Sequence, residues 1–336
     1  MKAVAYKNAL PIADRNALLD TILPDPIASG RDLLVEIKAV SVNPVDVKIR
    51  SSVNPVEGEH KVIGWDAAGV VRAVGDQVSL FKPGDRVFYA GSLTRPGTNS
   101  ELHLVDERIV GLMPGSHTFA EAAALPLTSI TAWELLFDRL EINSKSKGAI
   151  LVIGAAGGVG SILVQLARKL TGLTVIGTAS RPETEQWVRN FGAHYVIDHS
   201  KPLSEELKKI GFNQVQYVAS LNQTENHLAE IVESMVPQGK LALIDDPASL
   251  DVMRLKRKSI SLHWEFMFTR SMFETPDMQN QHDLLNEIAR LIDSGTIKTT
   301  IAENFGTIKA ENLRRAHALL ESNKSKGKIV LEGFDM

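Results

Sequence analysis

The chain has 336 residues, no cysteine, 23% charged residues and a formal net charge of −3. The missing cysteine excludes disulfides, thiolate nucleophiles, iron–sulfur clusters and every zinc site built on cysteine ligands. The near-neutral balance leaves no electrostatic footprint for nucleic acid. No apolar run approaches the ~20 residues that span a bilayer, and the length favours two domains, since single cores stop growing near ~250–300 residues.

The opening Met1-Lys2-Ala3-Val4-Ala5-Tyr6 reads as a strand rather than a secretory signal, because it lacks a long apolar segment and a small-residue cleavage site. A cytoplasmic location is therefore the expectation. From Met1 to about Glu121, short strand-like runs at 33–40, 69–74, 86–90 and 103–105 are separated by Pro and Gly, a spacing that suggests a partly open β-barrel. Two motifs stand out among them. Ser41-Val42-Asn43-Pro44-Val45-Asp46-Val47-Lys48 follows one strand, and Gly64-Trp65-Asp66-Ala67-Ala68-Gly69 opens another. In Phe81 to Val87, Pro83 presets a turn that leads into a strand. Helix formers interrupted by Pro126 then predict two short helices across 121–136, with the domain boundary near Pro126.

Ala149 to Ile153 is a continuous apolar run of the kind that forms a strand buried on both faces, and Val159 to Leu170 carries apolar residues at helical spacing. Between them lies Gly154-Ala155-Ala156-Gly157-Gly158-Val159-Gly160. Ala155 replaces the first glycine of the usual G-x-G-x-x-G pattern, while Gly157 permits close approach of a diphosphate and Gly160 permits close helix–strand packing. Strand-like runs at 173–178, 194–197, 214–218, 240–244 and 259–262, with helices at 183–191, 204–210 and 225–236, complete a doubly wound parallel sheet. A dinucleotide should lie across the carboxyl ends of its strands. Where NAD sites carry an acid, this chain has Thr178-Ala179-Ser180-Arg181. Arg181 can grip a 2′-phosphate through two donors and Ser180 can add a hydroxyl, so the expected cofactor is NADPH. The bland alternative for Arg181 is a solvated charge ahead of the Pro182 helix start.

Ser261 to Phe273 is aromatic and Met-rich; Trp264, Phe266 and Phe268 would line an apolar substrate pocket or form a subunit contact. The tail predicts helices at 283–291 and 310–321 and a last strand at 328–331, with Lys326 and Lys328 as solvent-facing charges.

Taken with Glu121-Ala122-Ala123-Ala124-Leu125-Pro126 and Gly327-Lys328-Ile329-Val330, the Asn43-Pro44-Val45-Asp46, Gly64 to Gly69, Phe81 to Val87 and glycine-turn motifs make the chain resemble the medium-chain dehydrogenase/reductase superfamily. The resemblance is to its zinc-free quinone oxidoreductase branch and covers nearly the full length. It implies an α/β protein in which a GroES-like barrel domain (1–125 and 265–336) flanks a Rossmann domain (126–264). Zinc-dependent members place a cysteine ligand at the position of Asn43 and a histidine ligand at that of Trp65. Asp66 alone cannot make a three-ligand site, so no metal is expected. The resemblance puts Thr128 beside the nicotinamide half of the cofactor, where the residue alone reads equally as a buried hydroxyl bonding back to its helix, and Tyr195 and His199 near the adenosine half, with packing residues at a strand end as the alternative. It makes Lys328 a cofactor contact and implies a homodimer.

The expected activity is hydride transfer from NADPH to a quinone or enone, a small apolar acceptor, with Asn43 and Thr128 as candidate hydrogen-bond donors and solvent as the proton source. The alternatives are a zinc-dependent alcohol dehydrogenase of the same fold and a non-catalytic NADPH-responsive binding protein. No nucleic-acid or membrane partner is expected.

Overall fold

A computed structural model describes residues 1–334 and divides into two compact units, Met1–Ile130 with Phe268–Met336, and Thr131–Met267. The crossings thus fall a few residues beyond the expected ones. The first unit holds β1 (Lys2–Tyr6), β2 (Leu19–Ile22), β3 (Asp32–Val42), α1 (Pro44–Ser52), β4 (Lys61–Val62), β5 (Asp66–Val74), β6 (Arg86–Ala90), β7 (Leu102–Asp106), β8 (Val110–Leu112), α2 (Phe119–Ala123) and the start of α3 (Pro126–Trp133).

β3 is its spine. Leu33, Val35, Ile37 and Ala39 alternate inward and are buried, as period-2 patterning requires of a strand with one face on a core. Around it runs a sheet that also takes in strands from the far end of the sequence. β5 and β7 pair antiparallel with β3, and β6 and β8 follow β5. A smaller sheet has the order β2-β1-β4.

The second unit holds β9 (Ala149–Ile153), α4 (Gly158–Leu170), β10 (Thr174–Thr178), α5 (Pro182–Asn190), β11 (Tyr195–Ile197), α6 (Leu203–Lys209), β12 (Val215–Ser220), α7 (Thr224–Ser234), β13 (Met235–Leu243) and β14 (Ser261–Trp264). Its strands pair in parallel in the order β11-β10-β9-β12-β13-β14. This is the doubly wound order, with its switch point between β9 and β12. Every side chain of β9 is buried, which explains the unbroken apolar run. α3 continues into a π-helical stretch, Glu134–Arg139.

The chain then returns to the first unit as α8 (Thr269–Phe273), α9 (Asn280–Asp293), β15 (Ile301–Asn304), α10 (Ala310–Glu321) and β16 (Lys328–Glu332). β16 inserts between β15 and the last residues of β3, pairing antiparallel with the latter, Ile329 opposite Val42.

Candidate active site

In the barrel unit, four polar residues from distant parts of the chain meet in the interior. α1 starts because Asn43 is extended, Pro44 supplies a preset φ at the first helical position, and Asp46 accepts the Asn43 N–H through Oδ2 at 2.5 Å. β5 starts at Asp66, which is fully buried. Its Oδ1 accepts the Leu127 N–H at 2.7 Å, supplying an acceptor to the open amino end of α3. Its Oδ2 accepts from Asn43 Nδ2 at 2.8 Å and from Lys328 Nζ at 2.9 Å.

Lys328 Nζ also donates to Asn43 Oδ1 and, at 3.1 Å, to Val42 O. The expectation of a solvent-facing Lys328 is therefore overturned: the side chain is 3% exposed, and its three donors meet three internal acceptors. The position of β16 beside the end of β3 causes this, since it aims Lys328 at the turn into α1. Asp46, also fully buried, has its carboxyl pushed up to about 7 by burial, against the lowering effect of the Asn43 N–H and the Lys328 charge.

The two candidate donors are committed internally. Asn43 Nδ2 donates to Asp66, and the Thr128 hydroxyl donates back to Leu125 O at 3.1 Å within its own helix. Trp65 is buried, with Nε1 on Ser92 O at 3.1 Å. Phe268, 3% exposed, packs edge-on against the Trp65 ring, so it belongs to the barrel core.

In the parallel-sheet unit, the turn from β9 to α4 has the geometry of a diphosphate cradle. Gly154 has φ +81°, and a Cβ there would lie 2.8 Å from Asn222 Oδ1. At Gly157 a Cβ would meet only Gly154 O at 3.4 Å, which leaves the approach to the helix start open. At Gly160 it would strike Gly154 O at 2.5 Å, so α4 is pressed onto the turn. Ala155 is buried, and Ala156 completes the turn ahead of the first helical N–H groups of Gly158, Val159 and Gly160. These residues fit the diphosphate of a dinucleotide.

Ser180 is exposed just beyond β10, and Arg181, the residue before α5, pairs with Glu183 at 3.1 Å. His199 follows β11, and its ring stands edge-on to His227 at 6.2 Å between centroids. Tyr195 lies at the amino end of β11, its ring edge-on to Phe212. Burial lowers the His199 ring below the usual histidine range, and the Arg181 charge adds to that effect, while Asp198 opposes it. Trp264 and Phe266 are 53% and 47% exposed at the end of β14, the edge strand of the sheet.

Between them Glu265 turns inward onto Arg139 Nε at 2.9 Å, beside buried Glu134. Burial and the neighbouring Glu134 push Glu265 up to about 9, so this pair holds a proton. Sequence reasoning missed this cluster, since neither Glu134 nor Glu265 belongs to a motif.

A catalytic zinc requires three protein ligands drawn from Cys, His, Asp or Glu. At the zinc-ligand positions inferred above, the barrel unit offers the Asn43 amide, the Trp65 indole and an Asp66 carboxylate already bound by the Lys328 ammonium. These residues do not fit the metal. Among the described residues, no group of three or more His, Cys, Asp or Glu side chains could hold a metal ion.

Residues 29–134 match the alcohol dehydrogenase GroES-like domain, and residues 191–331 match the zinc-binding dehydrogenase domain. A zinc-type alcohol dehydrogenase-like protein of Staphylococcus epidermidis is 38% identical over 98% of this chain and 99% of its own. A crystal structure from Rhizobium etli CFN 42, described as that of a candidate zinc-dependent alcohol dehydrogenase, is 57% identical. It superposes with a TM-score of 0.97 over 100% of this chain and 99% of its own. Escherichia coli quinone oxidoreductase complexed with NADPH is 26% identical, with a TM-score of 0.84 over 99% of this chain and 100% of its own.

Proposed function

The chain belongs to the medium-chain dehydrogenase/reductase superfamily of oxidoreductases, and from that premise we propose that it uses NADPH, without a metal, to reduce a quinone or another activated double bond such as an enone. One observation carries the reading: the Lys328 ammonium is held by Asp66, Val42 O and Asn43, the last standing where zinc-dependent relatives are expected to carry a cysteine ligand. An ammonium whose donors are all used cannot polarise a simple aliphatic carbonyl as a Lewis acid does. The reading therefore favours acceptors that are already electron-poor.

Bound NADPH would supply the hydride, and solvent the proton that completes the reduced acceptor. The amides of Gly158, Val159 and Gly160 bind the diphosphate, and Ser180 and Arg181 take the 2′-phosphate. Asp66 fixes the start of α3 and thereby the placement of Thr128. Since their donors are engaged, Asn43 and Thr128 are assigned as positioning residues. Exposed Trp264 at the end of the edge strand β14, with exposed Phe266 just beyond it, supports pairing with a second copy of the chain. No helix among the described residues is long and apolar enough to cross a membrane, and the proposed setting is the cytoplasm.

The test follows NADPH absorbance on adding 1,4-benzoquinone or an enone, with and without a chelator. A fall unaffected by chelation supports the reading. Turnover abolished by chelation points to the zinc alcohol dehydrogenase alternative, and constant absorbance despite measurable NADPH binding points to the non-catalytic one.

A further inference from the structure

We propose that a cavity at the amino ends of β9, β10 and β12 binds a small organic phosphate, a phosphate monoester with an apolar body. It lies wholly within the parallel-sheet unit, at the opposite end of the sheet from the dinucleotide turn. The length of β9, about 17 Å at ~3.3 Å per residue, separates the two. The cavity measures about 580 Å³, within the ~300–1,000 Å³ of small-molecule sites.

Its walls are set before any ligand arrives. In the loop ahead of β9, Asn143 Oδ1 accepts the Lys145 N–H at 2.9 Å, and Ser146 Oγ accepts the Asn143 N–H at 3.0 Å. Gly148 follows with φ +101°, and a Cβ there would strike Gln216 Oε1, so glycine is what lets that side chain reach across. Gln216 Oε1 accepts the Ala149 N–H at 2.7 Å, which leaves its amide NH₂ as a donor for the cavity. A Cβ at Gly172 would lie 2.9 Å from Ser146 O, so the turn into β10 is pressed against the same loop.

The lining selects for an anion. Lys145 and Lys147 are exposed, line the cavity and enter no ion pair among the described residues, while no acidic side chain lines it. Glu141, just ahead of the loop, is taken by Lys240. Thr174 adds a hydroxyl at the start of β10. Two ammonium groups, an amide and a hydroxyl exceed what one carboxylate needs, whereas a phosphate monoester offers three terminal oxygens and up to two charges. Phe212, half-buried and edge-on to Tyr195, gives the apolar wall for the rest of the ligand.

The experiment is calorimetric titration of the full chain with phenyl phosphate, with inorganic phosphate and benzoate for comparison. At about pH 7.5 the phosphate is mainly dianionic, its second pKa being about 6. Phenyl phosphate should bind saturably and more tightly than either comparison ligand. Lys145→Ala with Lys147→Ala should weaken it about tenfold, since exposed charge contacts are worth a few-fold each. Gly154→Ala, which narrows the dinucleotide turn, should leave its Kd unchanged. Lysine acetylation with peptide mapping gives the location in the wild-type protein: phenyl phosphate should protect Lys145 and Lys147 and leave Lys201 reactive. Absence of saturable binding overturns the inference, as does a Kd unaffected by the double lysine change. Binding that is lost in Gly154→Ala and leaves Lys145 and Lys147 unprotected assigns the ligand to the dinucleotide turn and overturns it too. Equal affinity for inorganic phosphate or benzoate overturns the assigned ligand class.

Discussion

Replacing Asp66 by Asn tests whether the buried ion pair holds the barrel unit together. The substitution keeps an acceptor for the Leu127 N–H and removes the charge that faces Lys328 Nζ at 2.9 Å. Both partners are almost fully enclosed, at 0% and 3% exposure, so water cannot resolvate the stranded ammonium. Breaking one side of such a pair costs about 3–5 kcal/mol. Each kcal/mol moves a melting transition by about 2–4 °C in domains of about this size, so Tm should fall by about 6–20 °C. Lys328→Met alone should also destabilise, because Asp66 then keeps only neutral donors.

The double variant removes both charges and should be less damaged than the sum of the two single changes, with a coupling of about 1–3 kcal/mol. Differential scanning calorimetry, with the two units resolved as separate transitions, provides the readout. Strict additivity, or a Lys328→Met protein as stable as wild type, would refute the assignment of Lys328 as the internal counter-ion.

Arg181→Ala should remove most of the preference for NADPH over NADH, read by fluorescence titration; equal wild-type affinity for the two would refute the cofactor assignment. Asp46 adds a pH dependence. Its folded pKa of about 7 lies above the usual carboxyl value, so its contribution is fully present at low pH and lost as pH rises through the folded value. Asp46→Asn should therefore flatten the wild-type decline in urea midpoint between about pH 4 and 7, a slope of at most about 1.4 kcal/mol per pH unit; parallel curves would exclude the effect. Glu265 titrates in both proteins and cancels in the difference. Trp264→Ala and Phe266→Ala should weaken self-association in sedimentation; a raised KM for bulky acceptors with assembly intact would place those rings in the substrate pocket. Gly154→Ala should weaken dinucleotide binding severalfold, because φ +81° and the 2.8 Å approach to Asn222 both resist a side chain; unchanged affinity would show that the turn tolerates the shift.

Much of the fold was legible because its signals are local. β9 reads directly as an apolar run, and 86–90 and 310–321 reproduce β6 and α10 residue for residue. The start of α1 was also written locally, in Pro44 at the first helical position and Asp46 two residues on, but Asn43-Pro44-Val45-Asp46 was read as a motif and not as a helix start. β13 begins at Met235, earlier than 240–244, because Val236-Pro237-Gln238-Gly239 has turn chemistry while the sheet absorbs it as an irregular register against β12.

The site was less legible because its partners are remote. Lysine is almost always exposed, and nothing near residue 328 announces an acid and an amide 262 and 285 positions away. His227 sits in an ordinary amphipathic helix. Only the tertiary fold shows its ring against His199.

The insertion of β16 beside β3 also orders events during synthesis. Asp66 leaves the ribosome 262 residues before Lys328, a delay of roughly 13–50 s at about 5–20 residues per second. Throughout it, the carboxylate has no cation and the edge of β3 that β16 will cover is open. The parallel sheet, encoded contiguously between Thr131 and Met267, can close in that interval. During synthesis, completion of the barrel therefore has to wait for β16, after the whole of the parallel sheet has been made. A chain stalled before β16 displays an unpaired strand edge, which is a template for association with a second unfinished chain.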